Sequence, residues 1–493
     1  MKYYNEILEN DRTLDPEDWS KMRELGHRMI DDMMDYLQNI REQPVWRNIP
    51  ENVKSFYNKD IPLEPQNIED VYREFKEFIL PYNKGNVHPR FWSWVEGNGT
   101  PFGVLADMLA SAMNPNVTIG DHAAMYIDKQ VIEWCKQMLN YPKAATGILV
   151  SGGSIANITA LIVARNNLKD KNIRKDGIRA VTSQMVLYCS TETHSCIQKA
   201  AEVIGIGTNG VRKISVDDNY RINIAELKET IETDIAKGFR PFCVVGNAGT
   251  VNTGAIDDLE AIKEICNQYN LWFHVDGAFG ALAKLAPEYA YSLKAIEQAD
   301  SVAFDMHKWM YMPYEVGCTL IKDPEAHRSA YALIPNYLLH HERGLAAGPE
   351  TNNNYGMELS RGFKALKVWM SLKEHGLKKY VALIRQNIAQ SFYLGELIKE
   401  NKELELLTPV TMNIVCYRFV KPGLTDEKLN ILNKEILMTL QERGIASPSY
   451  TILNGKYSIR VANTNHRSRK KDFEILVEGT VKIGRELSES NQI

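Results

Sequence analysis

The sequence predicts an α/β protein with a mainly parallel, seven-stranded sheet, helices on both sheet faces, and a smaller α+β domain at the C-terminal end. Between residues 146 and 322, short apolar segments rich in β-branched and aromatic residues alternate with amphipathic segments. Apolar segments of this length are typical of strands that are covered on both faces. Strands that alternate with helices favour a parallel sheet.

Seven segments carry the strand pattern of the large domain. They are residues 147–150, 185–188, 211–216, 242–245, 272–275, 301–304 and 317–321. The segment after the first strand has helical spacing, because Ile158, Leu161, Ile162 and Arg165 recur at positions i, i+3, i+4 and i+7. The first strand therefore leads into a helix, as a parallel α/β sheet requires.

The chain on either side of this region has a different pattern of predicted helices and strands. Residues 1–85 predict helices joined by proline-marked turns, and we expect this arm to pack on a second subunit because it has no sheet to cover. Residues 86–375 form the predicted large domain. Residues 376–493 form the predicted small domain, with two helices and with strands at 413–419 and 456–461.

Length and composition exclude several classes of protein. A chain of 493 residues is long enough for about three compact units. Its 58 Lys and Arg and 62 Asp and Glu give a net charge of −4, which argues against a broad basic surface for nucleic acid. No apolar run is long enough for a membrane span, and no secretory signal is recognised. Seven cysteines without a C-x-x-C pair indicate reduced thiols and a cytoplasmic enzyme.

A lysine and an aspartate carry the strongest chemical signal. Lys308 follows a buried strand, where partial desolvation is expected to lower its pKa and allow a Schiff base. Asp276 ends another buried strand and precedes Lys308 by 32 residues, about one βαβ unit. Taken alone, Lys308 is equally compatible with a surface lysine, and Asp276 with a helix N-cap. Together they are the pair that pyridoxal phosphate needs, since an amine holds its aldehyde and a carboxylate keeps its ring nitrogen protonated.

A glycine-containing turn predicts a phosphate site. Residues 150–157 join a strand to a helix, so free N–H groups and the helix dipole face a bound anion. Ser151 and Ser154 add hydroxyl donors, and Gly153 allows close approach. By contrast, the G-x-G-x-x-G match at residues 205–210 lies between a helix and a strand, which is the wrong order for a dinucleotide site.

Two further polar residues follow strands on the same edge of the sheet. His194 comes after the second strand, where an imidazole can stack on a heteroaromatic ring or orient a carboxylate. Thr250 follows the strand that precedes Asp276. An ordinary structural histidine is the alternative for His194. The pair His340–His341 is interpreted as a solvated loop, and no metal site is predicted.

Together these elements resemble the group II pyridoxal-phosphate-dependent amino acid decarboxylases, which include the aromatic-L-amino-acid, glutamate and histidine decarboxylases. Residues 274–278, His-Val-Asp-Gly-Ala, are similar to the family signature H-V-D-A-A. Residues 305–309, Asp-Met-His-Lys-Trp, are similar to N-P-H-K-W, with Asp305 in place of Asn. The resemblance covers residues 85–375 most strongly. It implies the aspartate aminotransferase fold (fold type I) and pyridoxal 5'-phosphate as cofactor.

The resemblance also implies roles for individual residues. Lys308 would be the Schiff-base lysine, Asp276 the partner of the ring nitrogen, His194 the stacking histidine, Ala278 the residue beneath the ring and Thr250 a cofactor neighbour. The expected phosphate or near-phosphate contacts are Gly153, Ser154 and Asp305, and Ser151 and His307 complete the predicted cofactor-binding set. The family also implies a homodimer with a composite active site.

Reaction and substrate are predicted less directly. Tyr337 lies where the family carries a mobile loop with a proton-donating tyrosine, and it favours simple decarboxylation over oxidation. Trp92, Trp94 and Ser360 occupy stretches that line the side-chain pocket in relatives, although core packing explains the tryptophans equally well. We therefore expect an aromatic L-amino acid to be converted to an arylalkylamine and CO₂.

Three alternatives remain open at this point. The substrate is another amino acid, such as glutamate or histidine; the reaction is oxidative deamination or transamination; or the chain is a cofactor-free regulator on the same fold. The identity of the product distinguishes the first two from the leading prediction. A colourless protein without a borohydride-trappable lysine would favour the third.

Overall fold

The computed structural model describes residues 12–168, 172–333 and 341–489. The chain divides into two compact units, Met1–Lys84 and Gly85–Ile493. The large and small sheets both belong to the second unit.

The first unit is helical in its described part. Its helices are α1 (Trp19–Gln38), α2 (Glu51–Phe56) and α3 (Ile68–Glu74). Helix α1 begins at Asp18, whose side chain accepts hydrogen bonds from the N–H groups of Ser20 and Lys21, as a helix N-cap does. Asp32 on α1 accepts hydrogen bonds from the Tyr72 hydroxyl at 2.7 Å and the Lys76 amine at 2.9 Å, which joins α1 to the α3 region.

The second unit contains twelve strands and thirteen α-helices in its described residues. The strands are β1 (Phe91–Trp92), β2 (Thr146–Val150), β3 (Met185–Ser190), β4 (Val211–Ile214), β5 (Arg240–Asn247), β6 (Trp272–Asp276), β7 (Ser301–Asp305), β8 (Gly317–Ile321), β9 (Leu404–Leu406), β10 (Ile414–Phe419), β11 (Ser447–Leu453) and β12 (Lys456–Ala462). The helices are α4 (Pro101–Met113), α5 (Ala123–Met138), α6 (Gly153–Asn166), α7 (Ile173–Asp176), α8 (Ser195–Val203), α9 (Ile224–Ala236), α10 (Leu259–Tyr269), α11 (Met306–Trp309), α12 (Pro324–Tyr331), α13 (Ala365–His375), α14 (Leu377–Lys399), α15 (Asp426–Glu442) and α16 (Lys470–Glu489).

The large sheet has seven strands in the order β2-β8-β7-β6-β5-β3-β4. Strands β3 to β7 pair in parallel, whereas β8 pairs antiparallel with both β7 and β2. Apolar side chains on both faces are buried, because helices cover each side. The predicted α/β fold with a mainly parallel seven-stranded sheet is confirmed.

The small sheet has five strands in the order β1-β11-β12-β10-β9. Strand β1 pairs in parallel with β11, although more than 350 residues separate them along the chain. The other pairs of this sheet are antiparallel. Helices α14, α15 and α16 contribute apolar side chains to the core that this sheet covers.

Two further findings concern the predicted environment of the chain. In the part of the chain that the structure describes, no helix combines the length and apolar character needed to cross a membrane. The seven cysteines are all buried and free.

Candidate active site

The carboxyl ends of the central parallel strands bring the predicted site residues to one edge of the large sheet. Asp276 ends β6 and Asp305 ends β7. Register pairs Asp276 with Asn247 of β5 and with Ala303 of β7, and it pairs Asp305 with Gly317 of β8. This is the edge where ligands bind in open α/β sheets.

Lys308 lies on the single helical turn α11 and makes an ion pair with Asp305. Its Nζ atom lies 2.8 Å from Asp305 Oδ2, and the lysine side chain is 21% exposed. Burial by itself lowers the pKa of Lys308, but the carboxylates of Asp305 and Asp276 outweigh burial and raise it. The sequence-based expectation of a lowered lysine pKa is therefore wrong, because the expectation counted desolvation but not the adjacent Asp305.

Asp276 is a buried carboxylate at the wall of the same cavity. Its Oδ1 atom accepts a hydrogen bond from the Ala278 N–H at 3.1 Å, and the Cys196 thiol lies 3.9 Å from Oδ2. Burial raises the pKa of Asp276, while the nearby Lys308 cation and the Ala278 N–H oppose the increase. A cationic ring nitrogen brought to this carboxylate would favour its ionised form for the same reason that Lys308 does.

Asn157, on the second turn of α6, connects Asp276 with the glycine turn. Its Nδ2 group donates to the Gly153 carbonyl at 2.9 Å, and its side chain also supports the ionised form of Asp276 through hydrogen bonding. His274 lies two residues before Asp276 on β6 and bonds Asn157 through Nε2. The carboxylate is thus held by a buried polar network rather than by its own strand alone.

The glycine turn passes close to Asp305. A Cβ atom placed on Gly153 would lie 2.8 Å from Asp305 Oδ2, and one placed on Gly317 would lie 2.7 Å from Gly152 Cα. Only a residue without a side chain fits in such contacts. Helix α6 begins at Gly153, so its first N–H groups point out of the helix end and can bind an anion.

His194 is the N-cap of helix α8. Its Nδ1 atom accepts a hydrogen bond from the Cys196 N–H at 3.2 Å, which fixes the orientation of the ring. Partial desolvation lowers the pKa of His194, and the Asp276 carboxylate opposes this effect. A neutral, oriented imidazole on the cavity wall is suited to stacking on a heteroaromatic ring.

These residues surround a cavity of about 370 Å³. Of the residues predicted from the sequence, the structure brings Lys308, Asp276, Ala278, His194, Gly153 and Trp94 to its wall. Trp94 has a positive φ of 54°, and the residue is 56% exposed. Tyr314 and Tyr450 add two more aromatic side chains to the lining.

Other predicted residues lie elsewhere in the described structure. Trp92 is not brought to the cavity: it is 1% exposed, stacks on Phe473 and donates from Nε1 to Ser468 Oγ at 3.0 Å. Ser360 is exposed and also lies away from the cavity lining. Tyr337 lies outside the described residues.

The remaining predicted cofactor contacts lie behind or beside the cavity wall. The Thr250 hydroxyl is 2.9 Å from Thr253 Oγ1 and accepts a hydrogen bond from the Ala255 N–H, so it holds the turn after β5. His307 is buried, and its Nδ1 atom contacts the Val316 backbone. Ser151 and Ser154 flank the glycine turn, and Ser154 is exposed.

Arg460 of β12 is a cavity residue that the sequence analysis missed. It is 3% exposed and donates to the carbonyls of Trp94, Val251 and Asn252 and to Ser449 Oγ. Burial lowers its pKa to about 10. The sequence did contain a signal, because Arg460 stands between Ile459 and Val461 in a predicted buried strand. An arginine is rarely buried unless its charge is paired or hydrogen-bonded.

The model of the family "Pyridoxal-dependent decarboxylase conserved domain" matches residues 50–420. The chain belongs to this family. The resemblance seen in the sequence is thereby confirmed, and the protein is a pyridoxal-phosphate-dependent carboxy-lyase.

Individual relatives agree with this assignment. The pyridoxal-dependent decarboxylase is 33% identical to an aromatic-L-amino-acid decarboxylase of Bacillus atrophaeus over 92% of this chain and 93% of that protein. It is 29% identical to a phenylacetaldehyde synthase of Arabidopsis thaliana over 92% of this chain and 93% of that protein. A crystal structure of the TDC of Oryza sativa with PLP and tryptamine has a TM-score of 0.87 at 23% identity, covering 96% of this chain and all of that one.

The cavity residues fit pyridoxal phosphate. A buried carboxylate, Asp276, and a primary amine, Lys308, share the cavity wall, as a ring nitrogen and an aldehyde require. Gly153 lines the same cavity at the start of α6, where the free N–H groups of the first turn can bind a phosphate. In this decarboxylase, Lys308, Asp276, His194 and Gly153 are thus the residues whose placement suits the cofactor.

Proposed function

We propose that this decarboxylase converts an aromatic L-amino acid to the corresponding arylalkylamine and CO₂. The observation that carries the proposal is the composition of the cavity wall, where Trp94, Tyr314 and Tyr450 accompany Lys308 and Asp276. Aromatic side chains supply a large apolar contact surface for an aromatic guest. The name of the Bacillus relative supports the same substrate class.

The charges of the cavity argue against an acidic side chain as the guest. Among the described lining residues, the cations are Lys308 and Arg460, apart from a protonated His194. Lys308 is paired with Asp305, and Arg460 uses Nε and both terminal nitrogens on neighbouring oxygens of the protein. Neither offers the open, bidentate guanidinium fork that selects a carboxylate.

Each residue has a proposed task. Bound pyridoxal phosphate supplies a ring that accepts the electrons left when CO₂ departs. Lys308 binds the cofactor aldehyde, Asp276 holds a proton on the ring nitrogen, and His194 covers one ring face. The end of α6 at Gly153 binds the phosphate. Tyr337 donates a proton to Cα, which makes the amine rather than the aldehyde the product.

We infer that the enzyme is a cytoplasmic homodimer. Helix α4 exposes Val104, Met108 and Met113 at 39%, 46% and 59% of their surface, which is the kind of apolar face that a second copy covers. The arm of residues 1–85 is proposed to wrap the partner, and Tyr337 to act at the partner's cofactor. Seven free cysteines agree with a reducing compartment.

Product analysis tests the proposed reaction. The purified enzyme with pyridoxal phosphate is incubated with each of the twenty amino acids, and amines, aldehydes, keto acids and hydrogen peroxide are measured. We expect amines from aromatic substrates only. Turnover of glutamate or histidine without aromatic turnover would overturn the substrate class, whereas an aldehyde with hydrogen peroxide would overturn the reaction.

A further inference from the structure

The Asp305–Lys308 ion pair joins a buried carboxylate to a lysine that is only partly exposed, on adjacent backbone elements. Asp305 is 1% exposed and ends β7, and its N–H donates to the Ala278 carbonyl at 2.9 Å. Lys308 lies three residues later on α11, with Nζ 2.8 Å from Oδ2. Both residues lie in regular secondary structure, Asp305 at the end of β7 and Lys308 on α11.

The negative charge of Asp305 is balanced by the Lys308 amine. The glycines 152, 153 and 317 pack around the carboxylate, and His307 Nε2 lies 3.7 Å from Oδ2. Apart from the Lys308 amine, no donor among the described residues makes a hydrogen bond to either carboxylate oxygen. An unpaired buried carboxylate is costly, so the amine and the carboxylate need each other.

We propose that Asp305 is a positioning residue that holds the Lys308 amine as an ammonium ion whenever the amine is not bonded to the cofactor. When pyridoxal phosphate is bound, the same carboxylate would favour a proton on that nitrogen. This inference rests on the proposed role of Lys308 as the cofactor-binding lysine.

The charged groups that face Lys308 favour its protonated form, as the proposal requires. Asp305, Asp276 and Cys196 raise the pKa of Lys308, and burial opposes them. His194 and His307 face the same region from α8 and α11, and burial lowers the pKa of both rings. The two nearest carboxylates therefore dominate the charge balance at the lysine nitrogen. Replacing Asp305 by Asn keeps the shape of the side chain and removes one of these charges.

Chemical labelling of the cofactor-free protein tests the ion pair without any turnover. The protein is treated with acetic anhydride at pH 8, and acetylation of Lys308 is followed by peptide mass spectrometry. A fall of one unit in the pKa makes the reactive neutral amine about ten times more abundant. We expect Lys308 to react about tenfold faster or more in Asp305→Asn than in the wild type.

Glu133→Gln is the matched control. It removes the partner of Lys136 in another i, i+3 pair, at 2.6 Å on α5, and should leave Lys308 labelling unchanged. An Asp305→Asn protein with native circular dichroism and wild-type Lys308 labelling would overturn the proposal. A failed decarboxylase assay would leave this result intact, because the labelled protein carries no cofactor.

A second measurement uses the loaded enzyme, and its wild-type arm does not depend on a variant that folds. The visible absorption band of the lysine-bound cofactor is titrated with pH, since it reports the proton on the lysine nitrogen. We expect no transition below about pH 8 in the wild type, and a midpoint about one unit or more lower in Asp305→Asn. A wild-type midpoint near neutrality would overturn the proposal.

Discussion

His274 Nε2 lies 2.7 Å from Asn157 Oδ1, which ties the strand that carries Asp276 to the helix that begins at the glycine turn. Trp272 Nε1 lies 2.7 Å from Ser301 Oγ and can only donate, so the Ser301 hydroxyl hydrogen is available to His274 Nδ1 at 2.8 Å. His274 then carries its proton on Nε2 and donates to Asn157. Every member of this buried chain has a defined direction of donation.

Removal of His274 should destabilise the enzyme. His274→Leu leaves the Asn157 oxygen and the Ser301 hydroxyl without their partner, and each buried unsatisfied group costs about 1–3 kcal/mol. We expect the free energy of unfolding in urea to fall by about 3 kcal/mol, and cofactor release to accelerate. His274→Gln should lose less, because its amide can still donate to Asn157. A loss below about 0.5 kcal/mol in His274→Leu, which is typical of a surface substitution, would contradict the network.

His327 should make stability depend on pH. It is fully buried between Thr146 and the Tyr355 carbonyl, and burial lowers its pKa to about 4. The unfolded chain binds a proton on this ring below about pH 6.5, whereas the folded chain does not until about pH 4. His327 therefore contributes up to about 3 kcal/mol to the free energy of unfolding. This contribution is complete above pH 6.5 and is lost as the pH falls to 4.

The measurement is chemical denaturation of wild type and His327→Gln at pH 7.5, 6, 5 and 4.5. The difference in unfolding free energy between the two proteins at pH 7.5 reports lost packing and serves as the reference. It should shrink steadily below pH 6.5, because only the wild type loses the proton-linked contribution. A difference that stays constant with pH would show that the pKa of His327 is the same in the folded and the unfolded chain.

Substitutions of Lys308 and of Asp276 should show which residue attaches the cofactor and which supports its chemistry. Lys308→Ala is expected to bind pyridoxal phosphate without a borohydride-trappable linkage and to lose turnover. Asp276→Ala is expected to bind the cofactor more weakly and to decarboxylate slower by orders of magnitude, because an unprotonated ring is a poor electron acceptor. Equilibrium dialysis and single-turnover CO₂ release measure the two effects. A folded Asp276→Ala enzyme with a near-normal rate would exclude this carboxylate as the ring-nitrogen partner.

Gly153 should be intolerant of a side chain. A Cβ atom would lie 2.8 Å from Asp305 Oδ2 and 3.4 Å from Ala278 Cβ, so Gly153→Ala displaces the carboxylate beside Lys308. We expect at least a tenfold weaker affinity for pyridoxal phosphate, measured by fluorescence titration. Gly26→Ala is the control, since a Cβ at that position meets nothing within 4 Å. Equal affinities in the two variants would show that the glycine turn does not bind the phosphate.

Mixed subunits test the composite active site. Lys308→Ala and Tyr337→Phe chains, each inactive as a decarboxylase, are combined under conditions that exchange subunits. If Tyr337 acts at the partner's cofactor, the heterodimer regains one site with Lys308 from one chain and Tyr337 from the other. We expect recovered amine production in mixtures only. A fully active monomer in sedimentation, or exchange without recovery, would show that each chain builds its own site.

The sequence predicted the part of the site that follows directly from strand ends. Asp276 and Lys308 were recognisable because each comes at or just after the end of a buried strand, and parallel strands bring such ends together. Arg460 and Tyr450 reach the cavity from the small sheet through tertiary packing, so the sequence pattern did not place them at the site, although an arginine inside a buried strand was a sign that Arg460 has a specific role. The direction of the Lys308 pKa shift depended on the balance between burial and two carboxylates, which spacing alone does not supply.

The two tryptophans near the start of the second unit illustrate another limit. Trp92 and Trp94 are two residues apart and would share a face in a continuous strand. However, β1 ends at Trp92, and the positive φ of 54° at Trp94 redirects the chain. One indole is therefore buried against Phe473, and the other lines the cavity. A backbone reversal at a non-glycine residue leaves no pattern in the sequence that predicts it.

The pairing of β1 with β11 bears on how this polypeptide can be divided. A recombinant fragment that begins at α14 would contain four of the five strands of the small sheet, but not β1. The exposed edge of β11 would then offer unpaired N–H and carbonyl groups, and Phe473 would lose the indole stacked on it. Such a fragment should aggregate on expression. A fusion of residues 85–95 to the same fragment restores β1 and should remain soluble. The small sheet is thus assembled only after both ends of the catalytic unit have been synthesised.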